Sequence, residues 1–364
     1  MISKFYASTL AEFYGALNDM KEDFNGGKDD LRFWFRGHGY NYYNLIPTLY
    51  RDQYFSRNQN NTYTQMNLKE DYRYQHFKAR AFHYVDSNPV YKSEWQEIYQ
   101  HHFGRTRLMD WTESARTALS FALEPFIDTQ DNKALEYKRQ TLSPCVWVLN
   151  PYELNKKVYG YMGEKLPDVI KRSATMFQPW IDWLPICEEI KGNENIYFDG
   201  NDSDQEIKGV ISLCALEDSR KSFGERFERA VHTFEFNPFY YLALSIYSDA
   251  VPYSIETYDQ EILPPIALLH PYHSNRIRTQ RGAFTMFPNY FVEKQVEKKC
   301  KNRKRDIRNM EEQDYISDCL KVIYIINPHE IARELMVSGE RRSELYPDIQ
   351  TYADMIETQK YYCQ

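Results

Sequence analysis

The first segment with residues suited to ligand chemistry covers residues 34–51 and reads WFRGHGYNYYNLIPTLYR. Arg36 ends an aromatic run that favours a strand. Its planar guanidinium can bind a carboxylate or phosphate, and Gly37 would let a ligand approach the backbone closely. The alternative is that Arg36 pairs with a buried carboxylate and stabilises the fold. Tyr43 adds a group that can stack on a ligand, and Arg51 lies where the loop ends.

A second segment, residues 96–122, is denser in polar groups and leads into a helix. The backbone N–H groups at a helix N-terminus attract anions, so this loop is a second candidate wall of a binding site. The alternative is that Arg107 and Asp110 form an internal ion pair that holds the loop. Two adjacent histidines lie in the same segment, but no third ligand at a matching spacing suggests a metal site, so no metal is expected. The candidate site residues are His102, Arg107, Asp110, Trp111 and Thr112.

A third polar segment, residues 270–285, precedes a short run typical of a strand. Arg276 supplies another positive charge, and Gln280 could hydrogen-bond a sugar or an amide edge. The chain contains no nucleophile elbow, Walker loop or dinucleotide GxGxxG fingerprint, so those common hydrolase and nucleotide-binding folds are not indicated.

Helices and strands alternate irregularly around these segments. Apolar spacing predicts a helix over residues 8–22 with Ser8 or Thr9 as its cap. A second helix with small apolar residues on one face is predicted to start after Thr112 or Ser114 and to stop at Pro125. We predict an α+β fold with a mixed central sheet, flanking helices and one large domain. Further strands are predicted around residues 145–151, 264–271, 283–288 and 321–328.

Composition narrows the classes of function. The chain has 364 residues, 42% of them hydrophobic, and a formal net charge of −7, which suits a globular protein and disfavours non-specific duplex binding. No CxxC pair, signal peptide or membrane-length apolar run is present, so we expect a cytoplasmic protein without a membrane partner. The basic run 294–308 is either a solvated surface or a basic lip that attracts phosphate.

The three segments together resemble the FRG domain family, which is named after a Phe-Arg-Gly signature. Here that signature is residues 35–37, followed by a block at 100–112 similar to QHHGLPTRLLDWT and a late block at 276–284. Arg105 and Arg281 depart from the family pattern and add positive charge. The resemblance implies an N-terminal helical segment at 1–30 and an FRG-like domain at 31–360, with a variable insertion at about 155–225.

The order of these blocks also resembles that of ADP-ribosyltransferases. The resemblance implies an NAD-type nucleotide ligand and no metal. It assigns catalytic roles to Arg36, Thr112 and Gln280, and cofactor binding to Gly37, Tyr43, Arg51, His102, Arg107, Asp110, Trp111 and Arg276. The implied activity is ADP-ribosyl transfer to a protein or nucleic acid, or NAD hydrolysis, in a toxin or phage-defence role. The alternative is a non-catalytic sensor or binding module that recognises a nucleotide, a phosphate or a protein partner.

Overall fold

The fold is taken from a computed structural model of the chain. The structure describes residues 2–25, 33–41, 43–51, 63–81, 95, 98–100, 104–127, 143–155, 157, 211–212, 265–269, 275–287, 309–313, 316–339 and 345–347. Most of the predicted insertion and all of the basic run 294–308 lie outside these residues.

A mixed sheet of eight strands forms the centre of the described structure. The strands in chain order are β1 (Lys4–Ala7), β2 (Trp34–His38), β3 (Leu108–Thr112), β4 (Cys145–Leu149), β5 (Ile211–Ser212), β6 (Ile266–Leu269), β7 (Gly282–Met286) and β8 (Leu320–Ile325). Their spatial order is β1-β8-β4-β2-β3-β7-β6-β5. The predicted α+β class is therefore confirmed, and strands from both ends of the described chain share one sheet.

The described helices of six residues or more are α1 (Leu10–Asn25), α2 (Tyr63–Ala81), α3 (Ala115–Ile127), α4 (Asn275–Gln280) and α5 (Pro328–Val337). Helices α1, α3 and α5 bury one face of the central strands. Alternate strand residues meet them there, including Phe33, Phe35, Val146, Val148 and Ile323. Because successive side chains of a strand point to opposite faces, Trp34, Arg36 and His38 point away from these helices. The chain thus places Arg36 on the face that α1, α3 and α5 leave uncovered.

Two of the expected helix ends differ from the structure. Helix α3 continues to Ile127 and contains Pro125, so the predicted stop at this proline is wrong. Pro125 lacks the N–H that would donate to the Phe121 carbonyl, but only two helical residues follow it, so the helix loses this bond close to its end. Asn327 followed by Pro328 is a sequence typical of a capped helix start, and α5 does begin at Pro328, but the Asn327 side chain makes no capping hydrogen bond.

The start of α1 agrees with its predicted cap. Thr9 Oγ1 accepts a hydrogen bond from the Glu12 N–H at 3.1 Å, and the Glu12 carboxylate accepts one from the Ser8 N–H at 2.7 Å. This reciprocal pair satisfies two donors near the helix start. Among the described residues, no helix has the length and apolar character needed to cross a membrane.

Candidate functional site

Arg36 lies where strands β2 and β3 separate. The two strands share a single residue pair, Phe35 with Thr112. Beyond this pair the Arg36 side chain fills the gap, and its Nη1 donates a hydrogen bond to the Asp110 backbone oxygen at 2.5 Å. The same nitrogen lies 3.9 Å from Asp110 Oδ2. The Arg36 side chain keeps 17% exposure, so solvent or a ligand can reach it from one side.

His38 lies on the same strand face and is held neutral. Arg36 Nε donates to His38 Nε2 at 3.1 Å, and Trp147 Nε1 lies 3.3 Å from Nδ1. Because a neutral imidazole accepts at only one nitrogen, the shorter contact assigns the lone pair to Nε2. Burial, followed by the positive charges of Arg36 and Arg51, lowers the pKa of His38 to about 3. His38 therefore adds no positive charge to the site near neutral pH.

The Asp110 carboxylate is the exposed acid beside Arg36. Its side chain is 62% exposed. Gln100 Nε2 donates to Asp110 Oδ1 at 2.6 Å, and Gln100 Oε1 accepts a hydrogen bond from Thr106 Oγ1. A Cβ at Gly104 would stand 2.4 Å from the Tyr99 carbonyl oxygen, so glycine permits the close approach in which the Gly104 N–H donates to that oxygen.

The loop after β2 brings Tyr43 and Arg51 to the same place. The Leu49 N–H donates to the Thr106 backbone oxygen at 3.2 Å, which ties this loop to the chain that enters β3. Arg51 lies close enough that its charge, after burial, contributes to lowering the pKa of Arg36. The Tyr43 side chain is 46% exposed and meets the His38 ring edge to face, with 6.0 Å between ring centroids. We call Arg36, His38, Tyr43, Arg51 and Asp110 the Arg36 cluster.

Gly37 has a packing role that differs from the predicted one. A Cβ at this position would stand 1.9 Å from the Ala118 carbonyl oxygen and 2.7 Å from the Ala122 nitrogen. The close approach that glycine permits here is therefore that of helix α3, rather than that of a ligand. The small residues Ala118 and Ala122 complete this contact, as predicted from the sequence of α3.

Arg107 belongs to a separate, buried ion pair. Its Nε lies 3.6 Å from Glu70 Oε2, and the two side chains are 2% and 5% exposed. The Glu70 carboxylate also accepts a hydrogen bond from the Arg107 backbone N–H at 2.9 Å. The predicted pairing of Arg107 with Asp110 is therefore wrong, and α2 provides the carboxylate. At this burial Arg107 anchors α2 to the start of β3 and has little surface to offer a ligand.

Thr112 and Gln280 are neighbours, but their side chains are engaged elsewhere. Thr112 Oγ1 donates to the Gln280 backbone oxygen at 2.5 Å and accepts from the Ser114 N–H at 3.0 Å. Its partner Phe35 packs under the helices, so Thr112 and Arg36 point to opposite faces. Gln280 Nε2 donates to the Leu345 backbone oxygen at 2.9 Å. The structure brings the three predicted catalytic residues into one neighbourhood without placing their side chains on one surface.

Arg276 lies with Gln280 on helix α4 and faces the segment 345–347. Its guanidinium stacks over the Tyr346 ring at 4.5 Å from the centroid. Tyr346 also meets Phe121 of α3, with 6.0 Å between ring centroids. Arg276 and Gln280 therefore both hold the late segment 345–347 onto the sheet and α3.

Trp111 is the last predicted site residue that the structure describes. Trp111 is 3% exposed, and its Nε1 donates to Thr285 Oγ1 at 3.0 Å in the neighbouring strand β7, which is the position of a core residue. His102 lies outside the described residues. In the described parts of the chain, no group of histidine, cysteine, aspartate or glutamate side chains could hold a metal ion.

Comparison with protein families gives a match over residues 31–131 to the FRG domain. The chain contains an FRG domain. The matched range includes β2, α2, β3 and α3, and with them every member of the Arg36 cluster. Comparison with curated proteins and with solved structures found no match. The resemblance to ADP-ribosyltransferases therefore rests on the order of the sequence blocks alone.

Three residues of this FRG domain have positions that the sequence did not reveal. Glu70 supplies the partner of Arg107, and Gln100 and Thr106 hold the Asp110 carboxylate. Glu70 lies in a largely polar helix with no local pattern that marks a buried carboxylate. Gln100 and Thr106 lie within the resemblance block 100–112, so that block was the signal for both.

Proposed function

We propose that the Arg36 cluster of this FRG domain binds the phosphate group of a nucleotide, and that NAD is one candidate ligand. The observation that carries the proposal is the part-exposed Arg36 side chain, which Asp110 approaches only to 3.9 Å and which feels the charge of Arg51. Each guanidinium is always charged, and the charge of Arg51 adds to the lowering of the Arg36 pKa that burial begins. In the parts of the chain that the structure describes, no ion pair involves Arg51. An arginine without a carboxylate partner, near a second arginine, favours an anion that can bind to both.

The neutral state of His38 determines the net charge of the Arg36 cluster. With His38 uncharged, the charges of the cluster are those of Arg36, Arg51 and Asp110, which leave one excess positive charge. Arg36 and Arg51 repel each other, and a phosphate would offset this repulsion while accepting hydrogen bonds from both. Tyr43 is half-exposed at the edge of the cluster and offers a ring on which a base can stack.

These features favour ligand binding over catalysis. We therefore first propose that the protein is a sensor or binding module for a nucleotide. Calorimetric titration with inorganic pyrophosphate, ADP and NAD tests it. We expect all three to bind, and we expect the two nucleotides to bind more tightly than pyrophosphate because Tyr43 stacks on the base. Failure of all three to bind at low ionic strength would remove the proposal.

A second candidate is NAD hydrolysis or ADP-ribosyl transfer to a protein or nucleic acid, in a toxin or phage-defence role. The favouring observation is the exposed Asp110 carboxylate beside Arg36. In this reaction the bond between ribose and nicotinamide breaks, nicotinamide leaves with the electron pair, and water or an acceptor hydroxyl or amine attacks the ribose carbon. A carboxylate stabilises the positive charge that develops on the sugar.

Nicotinamide release separates the two candidates. We expect an Asp110→Asn variant still to bind NAD through its phosphates and to lose any nicotinamide release that the wild type shows. Binding of NAD without release by the wild type would leave the sensor role as the function. Release that survives in Asp110→Asn would contradict the part given to Asp110.

A further inference from the structure

A directed chain of hydrogen bonds holds the Asp110 carboxylate. The Leu108 N–H donates to Thr106 Oγ1 at 3.2 Å, so the hydroxyl proton of Thr106 is directed to Gln100 Oε1. The Gln100 amide therefore has one orientation, with its NH₂ group toward Asp110. Because an ionised Asp110 carboxylate can only accept, the NH₂ group of Gln100 must face it and the Gln100 oxygen must face the Thr106 hydroxyl. Asp110 is thus held by this chain of hydrogen bonds although its own side chain is 62% exposed.

This arrangement leaves most of the carboxylate open to a ligand. A carboxylate has about four acceptor positions, and Gln100 uses one of them on Oδ1. Arg36 Nη1 is 3.9 Å from Oδ2, beyond hydrogen-bond distance. Among the described residues, no further side chain donates a hydrogen bond to Asp110. Two neighbouring hydroxyl groups could therefore donate to this carboxylate at once.

The charges around Asp110 determine which ligand group suits it. A cation is disfavoured because Arg36 lies beside the carboxylate and the charge of Arg51 acts on Arg36. A phosphate oxygen is repelled by the carboxylate itself. A neutral donor that is joined to an anion satisfies both conditions. The ribose of a nucleotide is such a group, with two adjacent hydroxyls linked to a phosphate.

We infer that Gln100 holds Asp110 in the orientation that accepts both ribose hydroxyls, which makes the site selective for ribonucleotides over deoxyribonucleotides. This inference rests on the proposed function, because the phosphate must first bind to the two arginines. Asp110 is then the residue that sets selectivity, and Gln100 is a positioning residue that acts through it.

The test compares ADP, 2′-deoxy-ADP, 3′-deoxy-ADP and inorganic pyrophosphate by calorimetry. We expect the wild type to bind ADP about tenfold more tightly than either deoxy compound, the effect of one hydrogen bond to a charged group. We expect Asp110→Asn to remove most of this discrimination and to bind pyrophosphate at least as tightly as the wild type. In Gln100→Met the side chain keeps nearly the same shape but has no amide donor. This variant should discriminate less between ADP and the deoxy compounds and should bind pyrophosphate as tightly as the wild type.

The outcomes separate the two proposals. Equal binding of ADP and both deoxy compounds by the wild type would overturn the inference and leave phosphate binding intact. Full discrimination in Gln100→Met would overturn the positioning role of Gln100. If neither pyrophosphate nor ADP binds the wild type, both proposals fall. Because the Asp110 side chain is largely exposed, Asp110→Asn keeps the test decisive should Gln100→Met fold poorly.

Discussion

Gly37 of strand β2 lies against the backbone of Ala118 in helix α3, so closely that a Cβ on Gly37 would stand 1.9 Å from the Ala118 carbonyl oxygen. This contact sets the distance between the helix and the strand that carries Arg36. A methyl group at Gly37 would push against backbone atoms, which cannot move aside as the end of a flexible side chain can. The packing of α3 and the position of Arg36 are thus coupled through one glycine.

Gly37→Ala should therefore destabilise the protein by about 3 kcal/mol or more, at the upper end of the effects of overpacking. Gly15→Ala is the matched control, because Gly15 lies in helix α1 with nothing within 4 Å of an added Cβ. That variant should gain roughly 0.5–1 kcal/mol, since alanine is the better helix former. Urea unfolding of both variants measures the difference. Equal stabilities would contradict the close packing of α3 on β2.

The two arginines of the second prediction differ in burial and therefore in their effect on stability. Arg107→Ala should cost about 3–5 kcal/mol, because it leaves the buried Glu70 carboxylate without its charge partner. Arg36→Ala should cost only about 1–2 kcal/mol, because its acid partner Asp110 stays in contact with water. Thermal or urea unfolding tests whether Arg107→Ala loses more stability than Arg36→Ala. An Arg36→Ala variant that unfolds while Arg107→Ala stays stable would show that the roles are reversed.

Arg36 and Arg107 show which structural features can be predicted from the sequence and which cannot. Local signals in the sequence predict the α+β class, the helix after Thr112 and the small residues on its inner face. The partner of Arg107 is 37 residues away in α2, and no local pattern identifies it. The resemblance in the order of the sequence blocks assigns Thr112 and Gln280 to the site, but only the structure reveals that the Thr112 hydroxyl is bonded to the Gln280 backbone.

A third prediction concerns the pH dependence of stability. Burial and then the Arg36 charge lower the pKa of His38 from 6.5 to about 3. As the pH falls from about 6.5 toward 3, the unfolded chain binds a proton at His38 that the folded chain does not bind. The folded state therefore loses stability over this window, by about 2–3 kcal/mol between pH 6.5 and 4. Above about pH 7.5 the residue contributes almost no pH dependence, because it is then neutral in both states.

His38→Gln removes this titration and keeps a polar side chain beside Arg36. The free energy of unfolding of His38→Gln should fall less steeply than that of the wild type when the pH is lowered across this window. Urea unfolding at several pH values gives both curves. Parallel curves for the two proteins would contradict the buried, neutral state of His38.

A fourth prediction concerns the thiols of Cys145 and Cys319. Both side chains are buried, and burial raises the pKa of each thiol to about 12, with the Glu311 carboxylate adding to the effect at Cys145. Because the thiolate is the reactive form, neither residue should react with iodoacetamide in the folded protein. Mass spectrometry of the peptides should show both labelled after unfolding in urea. Labelling of either residue in the native state would contradict its position in the core.

The binding of ADP by an Arg51→Ala variant is the most direct test that the Arg36 cluster binds the phosphate group of a nucleotide. Arg51 lies beside Arg36 without an ion pair in the described structure, so its loss should weaken ADP binding about tenfold or more without unfolding the protein. Arg333→Ala is the control, because Arg333 is an exposed arginine of α5 that pairs with Glu330. We expect Arg51→Ala to bind ADP weakly and Arg333→Ala to bind ADP with the affinity of the wild type. Equal ADP affinity in the wild type and Arg51→Ala would contradict phosphate binding by the Arg36 cluster.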